Sequence, residues 1–281
     1  MVEVTSYLIY KFKSLMTNRS GLFWGIGFML FWAVMWVYVF LRVEEPLPPR
    51  EVLEQVLKVV SALGYSYLGV LSMASVAIGL TSYKLYSSSA SAFVVRFSRL
   101  TPFRLLLEDF VSGVAAIISY TLAVVAAVTG LMYLRFSILL FPEKPMELLA
   151  YIVLAGVEWY WLSYLLCTVM LALRKPRSQL LNMLPMMIGF GIYATLWLDP
   201  GKLVYALPIA PLAPLVVSSA SSIDPVAGGW IPYQPWRNPG AATIVEPLPA
   251  LISTFAWILS LALASLLLAK RVTGIPMEEF G

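Results

Sequence analysis

GLFWGIGFMLFWAVMWVYVFL, residues 21 to 41, contains no charged side chain. A helix rises about 1.5 Å per residue, so a run of this length covers a hydrocarbon core about 30 Å thick. Residues 59 to 83 and 110 to 134 are equally free of charge, and 148 to 173 is interrupted only by Glu158. Two further runs, 180 to 198 with Pro185 inside it and 248 to 269 ending at Lys270-Arg271, bring the predicted spans to six. A spanning helix tolerates an internal proline where neighbours satisfy the freed carbonyl. These runs predict an all-α membrane protein with one transmembrane domain over residues 1–281.

Composition agrees: 60% of residues are apolar and 12% charged, where a soluble domain carries about 25% charge. The connections then set an orientation, because cytoplasmic loops collect Lys and Arg. Residues 1–20, 84–109, 174–179 and 270–281 hold twelve of the nineteen in 64 residues, whereas 42–60, 135–147 and 199–247 hold seven in 81. Both termini are therefore expected in the cytoplasm, in a multi-pass protein of the cell membrane. The net charge of +4 follows from that asymmetry and from contact with an anionic lipid bilayer, so no nucleic acid is expected as a partner. The absence of histidine excludes His-based metal sites and His general bases, and the single Cys167 has no intrachain partner for a disulfide. No catalytic, metal or cofactor site is expected on this chain. Its low Asn and Gln content points to a prokaryotic, thermophilic archaeal source.

Three connections carry structure of their own. In residues 1–20, Leu8, Phe12 and Leu15 stand beside Lys11 and Arg19, which reads either as an N-terminal interfacial helix or as a plain basic flank, and is too charged for a cleavable signal. After Pro46, Pro48 and Pro49, the residues Val52, Leu53, Val56, Leu57 and Val60 repeat at helical spacing and predict a short outer helix leading into span two. Residues 199–247 are rich in proline. There LVYALPIAPLAPLVVSS (203–219) is too apolar for a solvated loop and too proline-broken for a straight span. Short re-entrant or interfacial helices are expected, followed by GGWIPYQPWRNPG (228–240), whose Trp230, Tyr233 and Trp236 suit headgroup depth; the alternative is an irregular outer loop.

Between spans two and three lies FVVRFSRLTPFRLLLEDF, residues 93–110. On a helix over about 87–101, Ala90, Phe93, Val94, Phe97 and Leu100 share one face while Arg96 and Arg99 take the other. Thr101 is a suitable N-cap and Pro102 a suitable first residue for a helix continuing into span three, with Arg104 and Glu108 one turn apart. Two readings stand: a lever that passes force from a soluble partner into the membrane, or an interfacial helix held by anionic lipid.

With that segment in place, the chain resembles the membrane subunit of an ABC transporter of the ABC-2 type. The resemblance lies in the layout of six spans, both ends inside, an N-terminal interfacial helix, a helix between spans two and three, and short helices between spans five and six. The closest sequence match is Leu100-Thr101-Pro102-Phe103-Arg104, similar to the family's Leu-x-x-Pro-x-x-Arg segment with the Arg spacing one shorter. Many members place an acidic residue and Gly-Thr where this chain has Ser87, Ser88, Ser89, Ala90 and Ser91.

The resemblance implies a coupling helix carried by Phe93, Arg96, Phe97, Arg99, Leu100, Thr101, Pro102 and Arg104. It implies a separate P-loop ATPase subunit that holds ATP and Mg, since this chain has no GxxxxGK[ST] loop, and a second membrane subunit, either another copy or a paralogue. Within the spans, Glu158 is either an acid that contacts a ligand or gate, or a structural Glu about ten residues in from the outer end of span four, hydrogen-bonded or paired with Tyr160 or Tyr164. Asn182 and Pro185 either shape a kink near a pathway or serve packing. The small residues Gly113, Ala115, Ala116, Ala123, Ala126 and Ala127 predict close helix approach along span three. Competing functions are a secondary transporter or channel and a non-transporting scaffold subunit; a membrane-embedded enzyme is disfavoured by the missing histidine and paired acids.

Overall fold

The computed structural model describes residues 4–41, 49–97, 102–173, 179–195, 197–228 and 243–269. The chain is mostly helical, and four of its helices are long and apolar enough to cross a membrane.

α1 (Val4–Thr17) turns Leu8, Lys11, Phe12 and Leu15 toward the protein and Ile9, Tyr10 and Lys13 away from it. α2 (Arg19–Leu22) and α3 (Phe28–Val34) are joined and followed by π-helical stretches, Phe23–Gly27 and Met35–Phe40, with helical dihedrals at every junction. The helical run Arg19–Phe40 thus coincides with the first predicted span, and it stops where Leu41 turns extended. The guanidinium of Arg135 donates to the Val37 carbonyl in the second π-helical stretch and sits over the Tyr38 and Phe136 rings.

α4 (Arg50–Phe97) is a single helix of 48 residues, about 72 Å long at 1.5 Å per residue. The outer helix, the second span and the first part of the 87–101 helix were expected as separate pieces, yet they are one rod as far as Phe97. Ser87 to Ser91 contain weak helix formers but no proline, so nothing there forces a break. α5 (Pro102–Phe136) starts on Pro102 as expected, and ends where Ser137 adopts a left-handed conformation. α6 (Pro145–Ala172) begins with proline at its first position.

α7 (Gln179–Ala194) is shorter than the fifth predicted span, stopping at Ala194 instead of Leu198; its 16 residues cover about 24 Å. The Thr195 hydroxyl bonds back to the Ile192 carbonyl and its own carbonyl accepts the Gly228 N–H. A 3₁₀ turn, Gly201–Ala206, leads to α8 (Leu212–Ser221). Two short strands, β1 (Val226–Ala227) and β2 (Thr243–Ile244), pair antiparallel in an otherwise helical chain. α9 (Pro247–Ala269) closes the described fold.

α4 and α6 form the centre. α4 touches α5, α6, α7 and α8, and α6 touches α9 as well. α8 is buried between them, with the Ser66 hydroxyl of α4 donating to the Ala213 carbonyl at 2.9 Å and the Trp159 indole of α6 donating to the Val70 carbonyl at 2.9 Å. Close approach occurs mainly where α4 and α6 carry glycine, and less along α5, where it was expected. A Cβ on Gly156 would lie 2.5 Å from Ile117, and one on Gly69 would lie 2.9 Å from Ile152. Of the small residues predicted on span three, a Cβ on Gly113 would lie 2.9 Å from Tyr160 and Ala116 is buried, while Ala126 is exposed.

Candidate functional site

Two places bring chemistry-bearing residues together, one at the start of α5 and one halfway along α6.

At the start of α5, Glu108 and Asp109 each acquire a cation, from different elements. Arg104 Nε donates to Glu108 Oε1 at 3.0 Å across one helical turn, and Glu108 is buried with its second oxygen lacking a hydrogen-bond partner. Asp109 Oδ1 accepts from Lys11 Nζ at 3.2 Å and from the Tyr7 hydroxyl at 3.1 Å, both on α1. The Ser112 hydroxyl lies 3.2 Å from the Leu8 carbonyl and 2.7 Å from that of Glu108. Burial pushes the Lys11 ammonium below the ordinary lysine pKa, while Asp109 pulls it back. A small cavity lined by Lys11, Thr81, Asp109, Gly113, Tyr160 and Tyr164 adjoins the pair. α1 is therefore clamped to the first turns of α5, through a pairing of Lys11 and Tyr7 with Asp109 that the sequence pattern did not indicate.

Of the residues expected to make a coupling helix, Phe93, Arg96 and Phe97 lie on the last turns of α4, their side chains outside the described residues. Arg99, Leu100 and Thr101 also fall outside the described residues, Pro102 opens α5, and Arg104 pairs with Glu108.

Glu158 is the fourteenth of the 28 residues of α6, about 20 Å from its start, a few residues deeper than expected because the helix begins at Pro145. Its side chain is fully buried. Its partner is neither Tyr160 nor Tyr164: Oε1 accepts the backbone N–H of Ile209 at 2.9 Å, and Oε2 has no hydrogen-bond partner.

The Ile209 end of this contact is strained. Pro208 drives Leu207 into extended backbone, and the Ala210 N–H reaches back to the Pro208 carbonyl at 2.6 Å. That short bond closes a tight turn over Ile209, whose φ is +64°. A left-handed conformation costs a non-glycine residue roughly 1–2 kcal/mol, and a β-branched side chain is rarely found there. An intramolecular hydrogen bond contributes about 0.5–1.5 kcal/mol net. The two effects are of similar size.

Five further hydrogen bonds place the turn. Asp199 accepts the Gly201 N–H at 2.8 Å and the Thr243 hydroxyl at 3.2 Å, beside the paired strands. The Tyr205 carbonyl accepts the Ser253 hydroxyl near the start of α9. The last carbonyls of α8, Ser219 and Ala220, accept the N–H groups of Lys144 and Glu143, just ahead of α6. The chain thus descends from the strands to the middle of α6 and climbs back along α8 to the start of α6. The sequence signal for this excursion was the Pro208…Pro211 bracket in an apolar run; nothing marked Ile209 itself.

Asn182 lies on the first turn of α7, its side chain outside the described residues, and Pro185 is buried inside that helix. Among the described residues no group of three or more Cys, Asp or Glu side chains is placed to hold a metal ion. No family model, curated protein or solved structure matches the chain.

Proposed function

We propose that this chain is the membrane-spanning permease subunit of an ATP-driven transporter of the ABC-2 type, an exporter coupled through residues 93–104 to a separate P-loop ATPase subunit. In this reading six spans cross the membrane with both termini in the cytoplasm. α1 lies at the inner interface, and the excursion over residues 199–221 is re-entrant from the outer side. A second membrane subunit completes the pathway, and cargo is lipid-like or amphipathic, in keeping with the aromatic, apolar interior.

One observation carries the proposal. α4 stays helical to Phe97 and α5 begins at Pro102, so only residues 98–101 separate two span-length helices. A push delivered to the ends of these helices has only four residues of chain between them in which to be absorbed. The clamp of Lys11 and Tyr7 on Asp109 adds α1 to the same rigid unit. Closure of the ATPase pair on binding ATP would tilt these helices together and alternate access to a cavity between the membrane subunits.

The test is co-expression with the P-loop ATPase subunit that this reading requires. Replacing Arg96 and Arg99 with Glu should abolish co-purification of that ATPase while leaving membrane insertion intact. Arg104 is left alone in this experiment, because a Glu there would face the buried Glu108 and disturb the fold. If the partner still binds and its ATP hydrolysis rate is unchanged, the coupling role is refuted.

A further inference from the structure

Glu158 and Ile209 lie 51 residues apart in the chain, and the bond between them joins a fully buried carboxyl to a backbone N–H. α8 and α9, both packed on α6, carry no ionisable residue, and the ionisable residue of α7 is Tyr193. Along its middle α4 offers Tyr65 and Tyr67, and α5 offers Tyr120. The cations Lys58 and Arg135 are engaged elsewhere, by Glu143 and by the Val37 carbonyl. The carboxyl is thus committed to a backbone N–H in a turn of unfavourable geometry.

We propose that Glu158 and Ile209 form a strained latch that holds the 207–211 turn closed against α6, and that release of this bond opens the space between α6 and α8 to water. Closed, the carboxyl accepts the Ile209 N–H and Ile209 is held left-handed. Open, Ile209 relaxes to an ordinary backbone conformation and both oxygens of Glu158 become available. Strain favours release and the hydrogen bond resists it, so a modest pull on α6 or α8 decides the state. The latch gives the transporter proposed above a gate on its outer half. It rests on that reading for its purpose only, since the turn opens and closes within this chain alone.

The experiment measures access to the turn without the ATPase, so its failure leaves the coupling proposal untouched. Cys167 is replaced by Ala and a single cysteine is placed at Ala210, a buried position. The chain is embedded in nanodiscs of phosphatidylcholine and phosphatidylglycerol and labelled with a charged, water-soluble maleimide. Glu158→Ala should label about tenfold faster than its parent, the equivalent of losing one hydrogen bond. Glu158→Gln, whose amide oxygen still accepts the Ile209 N–H, should stay within about threefold of the parent.

Ile209→Gly and Ile209→Ala separate backbone strain from packing. Both lose the buried side chain, but only glycine holds positive φ without penalty, so Ile209→Gly should label several-fold more slowly than Ile209→Ala. Equal rates for these two, or a parental rate for Glu158→Ala, would overturn the latch. A second single cysteine, at the buried Ala116 of α5, guards against general loosening. If Glu158→Ala speeds labelling there as much as at position 210, the carboxyl is a stability element and the latch is refuted.

Discussion

Asp109 serves two donors of α1, and the consequence of removing it differs from that of removing either donor. Lys11 is nearly enclosed, with 9% of its side chain exposed against 26% for Asp109. Asp109→Ala takes a charged hydrogen-bond partner from the more enclosed side of the pair and should cost about 2–3 kcal/mol. Lys11→Met leaves Asp109 with the Tyr7 hydroxyl and some solvent, and should cost about 1 kcal/mol. Combining Lys11→Met with Asp109→Leu should recover most of the Asp109→Ala loss. Thermal unfolding in detergent checks all three, and equal losses for the two single variants would remove the argument. Gly156 supplies a second residue-scale prediction. A Cβ there would lie 2.5 Å from Ile117, so Gly156→Ala should destabilise by about 1–3 kcal/mol. Gly130 has nothing within 4 Å of a Cβ, and Gly130→Ala should be neutral or stabilising by about 0.5–1 kcal/mol. These glycines look alike in the sequence, since both sit in apolar helical runs; only the neighbouring helix distinguishes them.

Among the elements, α4 departs furthest from expectation. Hydropathy marks where a helix is surrounded by apolar partners, whereas helix continuity depends on backbone hydrogen bonds that charged and serine-rich turns satisfy equally well. The charged turns at Lys58 and Lys84 therefore looked like boundaries although the helix passes through both. Proline is the residue that breaks this continuity, because it removes an N–H and clashes with the preceding turn at a cost of about 3 kcal/mol. Ser88→Pro should open the 84–97 region to limited proteolysis without preventing membrane insertion. In the proposed complex it should also leave ATPase binding in place while uncoupling ATP hydrolysis from transport. Unchanged protease resistance would mean that the rod is already interrupted there. α5 behaved as expected at its start, since Pro102 has no N–H to lose at a first helical position.

At the scale of the whole molecule, α4 is enclosed by its neighbours while α5 and α9 present apolar faces outward. Leu248, Ile252, Phe255, Leu259, Leu263 and Leu267 of α9 are all exposed at helical spacing. In water such a stripe would be a liability, but hydrocarbon is as apolar as leucine and imposes no such cost. The proposed topology is checked in sealed vesicles by single cysteines in a Cys167→Ala background. Lys13→Cys should label only after permeabilisation, and Met146→Cys and Lys202→Cys should label from outside. Labelling of Lys13→Cys and Met146→Cys from the same side would contradict the six-span arrangement.

The sequence by itself determined that long helices would form, where their apolar runs lie, that α5 would open on Pro102, and that residues 203–219 would not form a straight span. Those are local properties: length, charge and proline position act within a few turns of helix. What only the tertiary structure decided is which distant groups meet. Lys11 meets Asp109 across 98 positions and Tyr7 meets it across 102, Ser66 reaches Ala213 across 147, and Glu158 meets Ile209 across 51. A buried charge or a left-handed isoleucine costs free energy at its own position and is offset only by a partner brought from elsewhere. The residue pattern marks Glu158 as a charge in an apolar run, but neither its partner nor the strain at Ile209 shows until the helices are packed.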